Sequence, residues 1–234
     1  MQLFYSPDIN SDSKQYTFSK EESNHIVKVL RKKEGDVLSI TNGKGDLFNV
    51  EIFIADTKKC TVQINTIEQQ KGHNYKLHIA IAPTKMNDRM EWFLEKATEI
   101  GIDEITPVFC DNSERKVIKK GRFEKIIQSA MKQSLQMRLP KLNDAISFKQ
   151  FINQEFKGQT YIAHCEEQEK KQLQSLATPN ENYTILIGPE GDFSVKEIEL
   201  ALSNNFKPVA LGNTRLRTET AGIAACHTIA LKNI

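Results

Sequence analysis

The chain has 234 residues, 39% apolar and 26% charged, with 32 basic and 30 acidic side chains for a formal net charge of +2. That length suits one small and one medium domain. No apolar run approaches the ~20 residues of a bilayer span, and the first residues, Met-Gln-Leu-Phe-Tyr-Ser, lack the basic and apolar regions of a secretion signal, so a cytoplasmic location is expected.

In chain order, Ser19-Lys-Glu-Glu22 reads as a capping box opening a short helix through His25 and Val29. Residues 37–41, 47–54 and 60–67 are strand-like and separated by turn signals, the clearest being Asn42-Gly-Lys-Gly45. They define a small β-rich domain over residues 1–70, and the polar stretch 68–74 reads as its linker. The pattern then changes. Residues 77–81 form a strand, and Met90, Phe93, Leu94, Ala97 and Ile100 make one apolar helical face. A strand at 105–109, a helix at 123–137 and a strand at 161–163 follow. Two more apolar runs, at 184–187 and 209–211, each precede a helix, the first opened by a second capping box, Ser194-Val-Lys-Glu197. Alternating strands and helices over 74–234 imply an α/β domain with a parallel sheet covered on both faces.

Charge is concentrated within this order. Residues 115–144 carry nine basic and two acidic side chains, a net of +7, and Lys28, Arg31, Lys32 and Lys33 form a smaller cluster. A charge run is often only a solvated face. Two such patches on a near-neutral chain favour a polyanionic partner, and Arg31, Lys32, Arg115, Lys119, Arg122 and Arg138 are the candidate contacts to it. Cys60, Cys110, Cys165 and Cys226 contain no C-x-x-C pair, and His164 and Cys165, as strand neighbours, would face opposite ways. Buried free thiols and no metal are expected.

The stretch 184–221 carries the chemistry. Twice a short apolar run stops at a glycine and opens into a loop, as buried parallel strands do at their carboxyl ends. Ligands of open α/β sheets sit beyond those ends. Gly188 and Gly191 permit close backbone approach, while Pro189 stiffens its loop and removes a donor. Arg217 and Glu219 bracket Thr218 just before an apolar helix at 220–231. Neither G-x-G-x-x-G after the first strand of the sheet nor G-x-x-x-x-G-K-[ST] occurs, which disfavours dinucleotide and P-loop enzymes.

Taken together, Ile187-Gly-Pro-Glu-Gly191, Leu211-Gly212 and Leu216-Arg-Thr-Glu-Thr-Ala221 resemble the SPOUT superfamily of knotted methyltransferases. Within it they are most similar to the bacterial family that methylates N3 of a uridine in 16S ribosomal RNA. Lys96-Ala-Thr-Glu-Ile-Gly101, Ile105-Thr-Pro107, Gln133-Ser134, Arg138-Leu-Pro140, and His25, Val29-Leu-Arg31 and Gly35-Asp36 extend the resemblance over almost the whole chain. Asp192 stands where that family commonly has a second glycine, and Asn213-Thr214-Arg215 replaces a more usual Pro-Arg-Ile run.

The resemblance implies a trefoil-knotted parallel-sheet domain behind a PUA-like RNA-binding β-barrel. It implies S-adenosyl-L-methionine bound against Ile187, Gly188, Pro189, Glu190, Gly191, Leu211, Gly212, Leu216, Arg217, Thr218, Thr220 and Ala221. The substrate would be 16S rRNA of the small ribosomal subunit. Two subunits would pair as a homodimer, each active site borrowing from its neighbour.

Uracil N3 is a poor nucleophile until its proton leaves. Such a site needs a base, or a water route to one, and donors over the developing anion. Arg217 and Glu219 are of those types and are the candidate catalytic pair; Glu190 is a rival base, unless it anchors its loop by accepting backbone amides. A salt bridge between Arg217 and Glu219 that merely holds the loop is the alternative. The other functions to weigh are ribose 2′-O methylation by a knotted enzyme and a catalytically silent RNA-binding module.

Overall fold

The computed structural model describes residues 2–166 and 169–234. It divides into two compact units, Met1–Gly72 with Met131–Leu139, and His73–Ala130 with Pro140–Ile234.

The first unit contains β1 (Leu3–Tyr5), β2 (Gln15–Thr17), α1 (Lys20–Asn24) running into a π-helical turn (His25–Val29), β3 (Val37–Thr41), β4 (Asp46–Ile54) and β5 (Thr61–Gln69). The sheet order is β1-β3-β4-β5-β2, parallel only between β1 and β3. Strand β4 shows why it folds this way: Phe48, Val50 and Ile52 are buried at a period of two, while Glu51 between them is exposed. Ser19 caps α1 by accepting from the Glu22 amide, but the reciprocal half of the expected capping box does not form, and the Glu22 carboxylate lies 3.6 Å from His25 instead. The linker begins later than the sequence suggests, because β5 continues through Gln69.

The first unit is not contiguous in sequence. Residues 137–139 join its edge: the Met137 carbonyl accepts from Gly45 N at 2.8 Å, and Leu139 N donates to the Gly43 carbonyl at 2.9 Å. That commitment corrects the expected helix at 123–137. The helix, α3 (Lys120–Gln133), stops before Leu135, which adopts φ of 55°.

The second unit begins with β6 (Lys76–Ile81), α2 (Asn87–Ile100), β7 (Glu104–Phe109) and α3. After α3 come β8 (Lys141–Leu142), β9 (Ile146–Ser147), α4 (Phe148–Ile152), β10 (Gln159–Ala163), β11 (Lys171–Gln172) and α5 (Leu173–Leu176). It closes with β12 (Asn182–Ile187), α6 (Val195–Ser203), β13 (Lys207–Ala210) and α7 (Thr218–Lys232). Strands run in the order β11-β13-β10-β12-β6-β7-β8, with β9 also on β7, and every pairing is parallel. The central strands are buried along most of their length, Asn182–Ile187 among them, as sheets covered on both faces require. The short elements β1, β2, β8, β9, β11, α4 and α5 carry too few residues for periodicity to announce them.

Two features of this unit position the site. From the middle of the sheet the chain leaves β12, passes outward to β13 beyond β10, then returns as α7 onto β6 and α2. Helix α7 approaches α2 closely at Gly222, where a side-chain carbon would fall 2.6 Å from the Phe93 ring. Helix α2 presents Met90, Phe93, Leu94 and Ala97 inward and ends at Gly101, whose φ of 106° closes it.

Candidate functional site

Strands β13, β10 and β12 are neighbours, and all three end at the same edge, at Ala210, Ala163 and Ile187. Their loops enclose a cavity of about 730 Å³, within the usual range for small-molecule sites. Of the residues the sequence proposes for the donor, Ile187, Gly188, Pro189, Glu190, Leu211, Gly212, Leu216, Arg217, Thr218 and Ala221 line it. Gly191 and Thr220 do not; Thr220 faces a second cavity.

The loop after β12 is held from several sides. Thr218 Oγ1 donates to the Gly188 carbonyl at 3.0 Å, tying the start of α7 to the glycine turn. Glu190 Oε1 accepts the Lys85 amide at 3.0 Å, the anchoring role open to it from sequence. The left-handed residue is neither Gly188 nor Gly191 but Asp192, at φ of 62°. Asp192 offsets that conformation by accepting from Phe193 N at 2.8 Å and from Cys165 N at 2.7 Å. In the loop after β13, Gly212 takes φ of 144°, which favours glycine. The capping box at Ser194 and Glu197 forms in full and starts α6.

Sequence reasoning missed the third wall. His164, Cys165 and Lys170 line the same cavity, carried by the loop after β10. The signal was available, since residues 161–163 read as a parallel strand and its carboxyl end belongs beside the other two. Lys170 Nζ closes this loop on the His164 and Glu166 carbonyls, 2.7 Å from each. Burial, with Lys170 adding to it, holds the His164 imidazole below its ordinary value, so it stays neutral near pH 7. The expectation of four buried thiols is corrected at Cys165, which is exposed; Cys60, Cys110 and Cys226 are buried and free. Among the described residues no cluster of side chains could hold a metal ion.

Arg217 and Glu219 do not pair as the loop-holding alternative supposed. Arg217 is exposed at the cap of α7, while Glu219 is buried in its first turn, 3.8 Å from Arg89 Nε on α2.

The candidate RNA contacts separate into two groups. Arg115 donates to Asn87 Oδ1 at 2.5 Å and to the Lys85 carbonyl at 2.6 Å. Arg122 bridges to Glu91 at 2.6 Å, and Arg138 donates to the Lys44 and Gln70 carbonyls at 3.0 and 3.2 Å. These three guanidinium groups have structural partners. Arg31 and Lys119 are exposed, and Lys32 is half-buried.

A family model described as an RNA methyltransferase domain matches residues 71–230, and one described as an RNA methyltransferase PUA domain matches 18–65. The chain belongs to this RNA methyltransferase family. It is 32% identical to the "Ribosomal RNA small subunit methyltransferase E" of Buchnera aphidicola subsp. Acyrthosiphon pisum, over 92% of this chain and 87% of that one. The protein of the same name from Bacillus subtilis is 28% identical over 92% and 89%. A crystal structure of a "probable rRNA-methyltransferase" from Porphyromonas gingivalis is 41% identical, with a TM-score of 0.92 over 100% of this chain and 98% of that one. A Legionella pneumophila structure solved with the bound cofactor S-adenosylmethionine is 28% identical, with a TM-score of 0.88 over 99% and 97%. The architecture is thus that of a SPOUT methyltransferase, a PUA-like sheet followed by the parallel sheet typical of the fold.

The cavity's lining is mixed in character. Ile187, Val209, Leu211 and Ala221 give it apolar walls, and the backbone at Gly188 and Leu211 borders it. Among the described residues Lys170 is the one lysine on the cavity wall, and its amine is engaged by carbonyls.

Proposed function

We propose that this methyltransferase transfers the methyl group of S-adenosylmethionine to N3 of a uridine in 16S rRNA of the small ribosomal subunit, in the cytoplasm. The observation that carries the reading is the cavity at the ends of β10, β12 and β13, walled by the glycine loops and by Arg217. The relatives named as small-subunit ribosomal RNA methyltransferases and the S-adenosylmethionine-bound neighbour support it.

Bound there, S-adenosylmethionine supplies a methyl group on a sulfonium. The chain's own residues do the rest. Gly188, Thr218 and Gly212 shape the donor cavity, and its apolar walls exclude water. Arg217 reaches the space beside it and offers guanidinium donors to O2 or O4 as the N3–H bond breaks and charge spreads over the ring. Glu219 would take the proton, leaving the N3 lone pair free to accept the methyl group that S-adenosylmethionine would supply.

Lys119 in the second unit, and Arg31 and Lys32 in the first, are contacts to the RNA backbone. The enzyme acts as a homodimer: Leu231, on α7, is 55% exposed although the helix is apolar over most of its length.

The test is methyl transfer to small ribosomal subunits or their rRNA, read by nucleoside mass spectrometry. 3-Methyluridine is expected. A ribose-methylated product would assign a different reaction, and RNA binding without transfer would leave a binding module. Arg217→Ala should lower kcat and kcat/KM together, by about 10²–10³, with donor affinity retained. Light scattering that gives a monomer would remove the dimer.

A further inference from the structure

A second cavity, of about 720 Å³, opens between the start of α2 and the segment 215–220. Arg215, Leu216 and Arg217 line both cavities, so one stretch of chain separates them. The remaining walls are Asp88, Arg89, Trp92, Glu219 and Thr220. Their chemistry differs from that of the donor site.

Trp92 lies on α2 with 44% of its surface exposed. A large aromatic ring left open beside a cavity is a stacking platform for a base. Glu219 is 6% exposed, and its Oε2 is buried without a hydrogen-bond partner. An unpartnered buried carboxylate oxygen is costly, and the fold retains it on the wall of an open cavity. The last torsion of a glutamate is soft, so either oxygen can turn to meet an incoming donor. Arg89 lies against the other oxygen, at 3.8 Å.

We propose that this cavity receives a uracil turned out of the RNA: Trp92 stacks on its face, Glu219 accepts the N3–H, and Arg89 positions Glu219. The proposal rests on the methyltransferase reading and adds to it the place of the base. It follows from complementarity. The uracil of a uridine is flat, which suits Trp92, and has a single ring N–H, at N3, which suits one unsatisfied acceptor. A partition common to both cavities sets N3 beside the donor. Arg215, exposed at the rim, is placed to meet the phosphate of the same nucleotide.

Trp92 is the chain's one tryptophan, so its fluorescence reports on this cavity alone. The experiment titrates the full chain, with S-adenosylhomocysteine bound, using uridine 5′-monophosphate and a short uridine-containing RNA. Uridine should quench the emission. 3-Methyluridine, which lacks the N3–H, should need roughly ten times the concentration, and Glu219→Ala should erase that difference.

Trp92→Ala should raise KM for RNA by roughly ten- to a hundredfold, leave S-adenosylhomocysteine affinity unchanged, and be partly rescued by Trp92→Phe. Arg89→Ala should lower kcat and shift the acidic limb of the pH–rate profile, with Arg89→Lys restoring part. Calorimetry with S-adenosylhomocysteine on the same sample separates the two readings. Absence of that binding counts against the methyltransferase reading. Intact binding with emission indifferent to uridine, or with unchanged KM in Trp92→Ala, overturns the base pocket alone. Emission that follows protein dilution and not uridine assigns the surface to a second copy of the chain and also overturns it.

Discussion

Gly222→Ala tests whether the contact of α7 with α2 sets the active geometry. A methyl group built there would stand 2.6 and 2.8 Å from two Phe93 ring carbons and 3.1 Å from Ile81 Cδ1. Carbon atoms rest at about 3.5–4.0 Å, so the contact is short by roughly 1 Å. Phe93 is wholly buried, and its ring has no room to yield. The helices must therefore part. Glu219 sits three residues before Gly222 on the same side of α7, so the displacement carries it relative to Arg89 and strains the bond from Thr218 to Gly188.

Overpacking of this kind costs about 1–3 kcal/mol, and a chain of this length loses roughly 2–4 °C of melting temperature per kcal/mol. A misplacement near 1 Å can also cost on the order of 10² in rate. Thermal melts and single-turnover methyl transfer to rRNA measure the two effects. Phe93→Leu in the same chain removes ring atoms from the clash. The double variant should therefore be more stable than the two single effects predict, by about 0.5–3 kcal/mol of coupling. A Gly222→Ala protein with unchanged melting temperature and unchanged rate would refute the reasoning.

Other outcomes follow from individual contacts. Thr218→Val leaves the Gly188 carbonyl without its donor, and calorimetry with S-adenosylhomocysteine should show roughly tenfold weaker binding. Burial pushes His78, which pairs with Thr106 at 2.7 Å, down to about 4. The unfolded imidazole titrates near 6.5, so stability is full above that value and falls by on the order of 3 kcal/mol as pH drops from 6.5 towards 4; chemical denaturation across that range should show the loss, and His78→Gln should flatten it. Reversing the exposed Lys119 and Lys125 to Glu should weaken RNA binding and reduce its salt slope by about one unit per lost phosphate contact. Arg122→Ala, which removes a side chain already paired with Glu91, should leave that slope unchanged.

The sequence made the longer strands legible because buried parallel strands are continuous apolar runs, and two of these runs stop at a glycine. Residues 184–187 and 209–211 announced two walls of the first cavity in this way. What it could not show was which distant side chains meet. Arg138 reads as one more cation in a basic segment, yet it is held by carbonyls of Lys44 and Gln70. Arg115 is similar, tied to the loop before α2. Glu219 stands two residues from Arg217 in the chain, and a pairing between them was the natural alternative. Its neighbour is Arg89, brought there by the return of α7 across the sheet, an arrangement no local pattern encodes.

That return also explains the order of residues at the start of α7. With 3.6 residues per turn, consecutive helical positions point about 100° apart, and positions three apart share a side. Thr218 and Ala221 accordingly face the first cavity, while Glu219 and Thr220 face the second one. Arg217, just outside the helix, borders both. The first turn is therefore a partition whose two faces carry different chemistry: a hydroxyl that fixes the glycine loop on one side, a carboxylate with a free acceptor on the other. In the Arg-Thr-Glu sequence the middle residue locks the wall through its bond to Gly188, and the outer two border the second cavity.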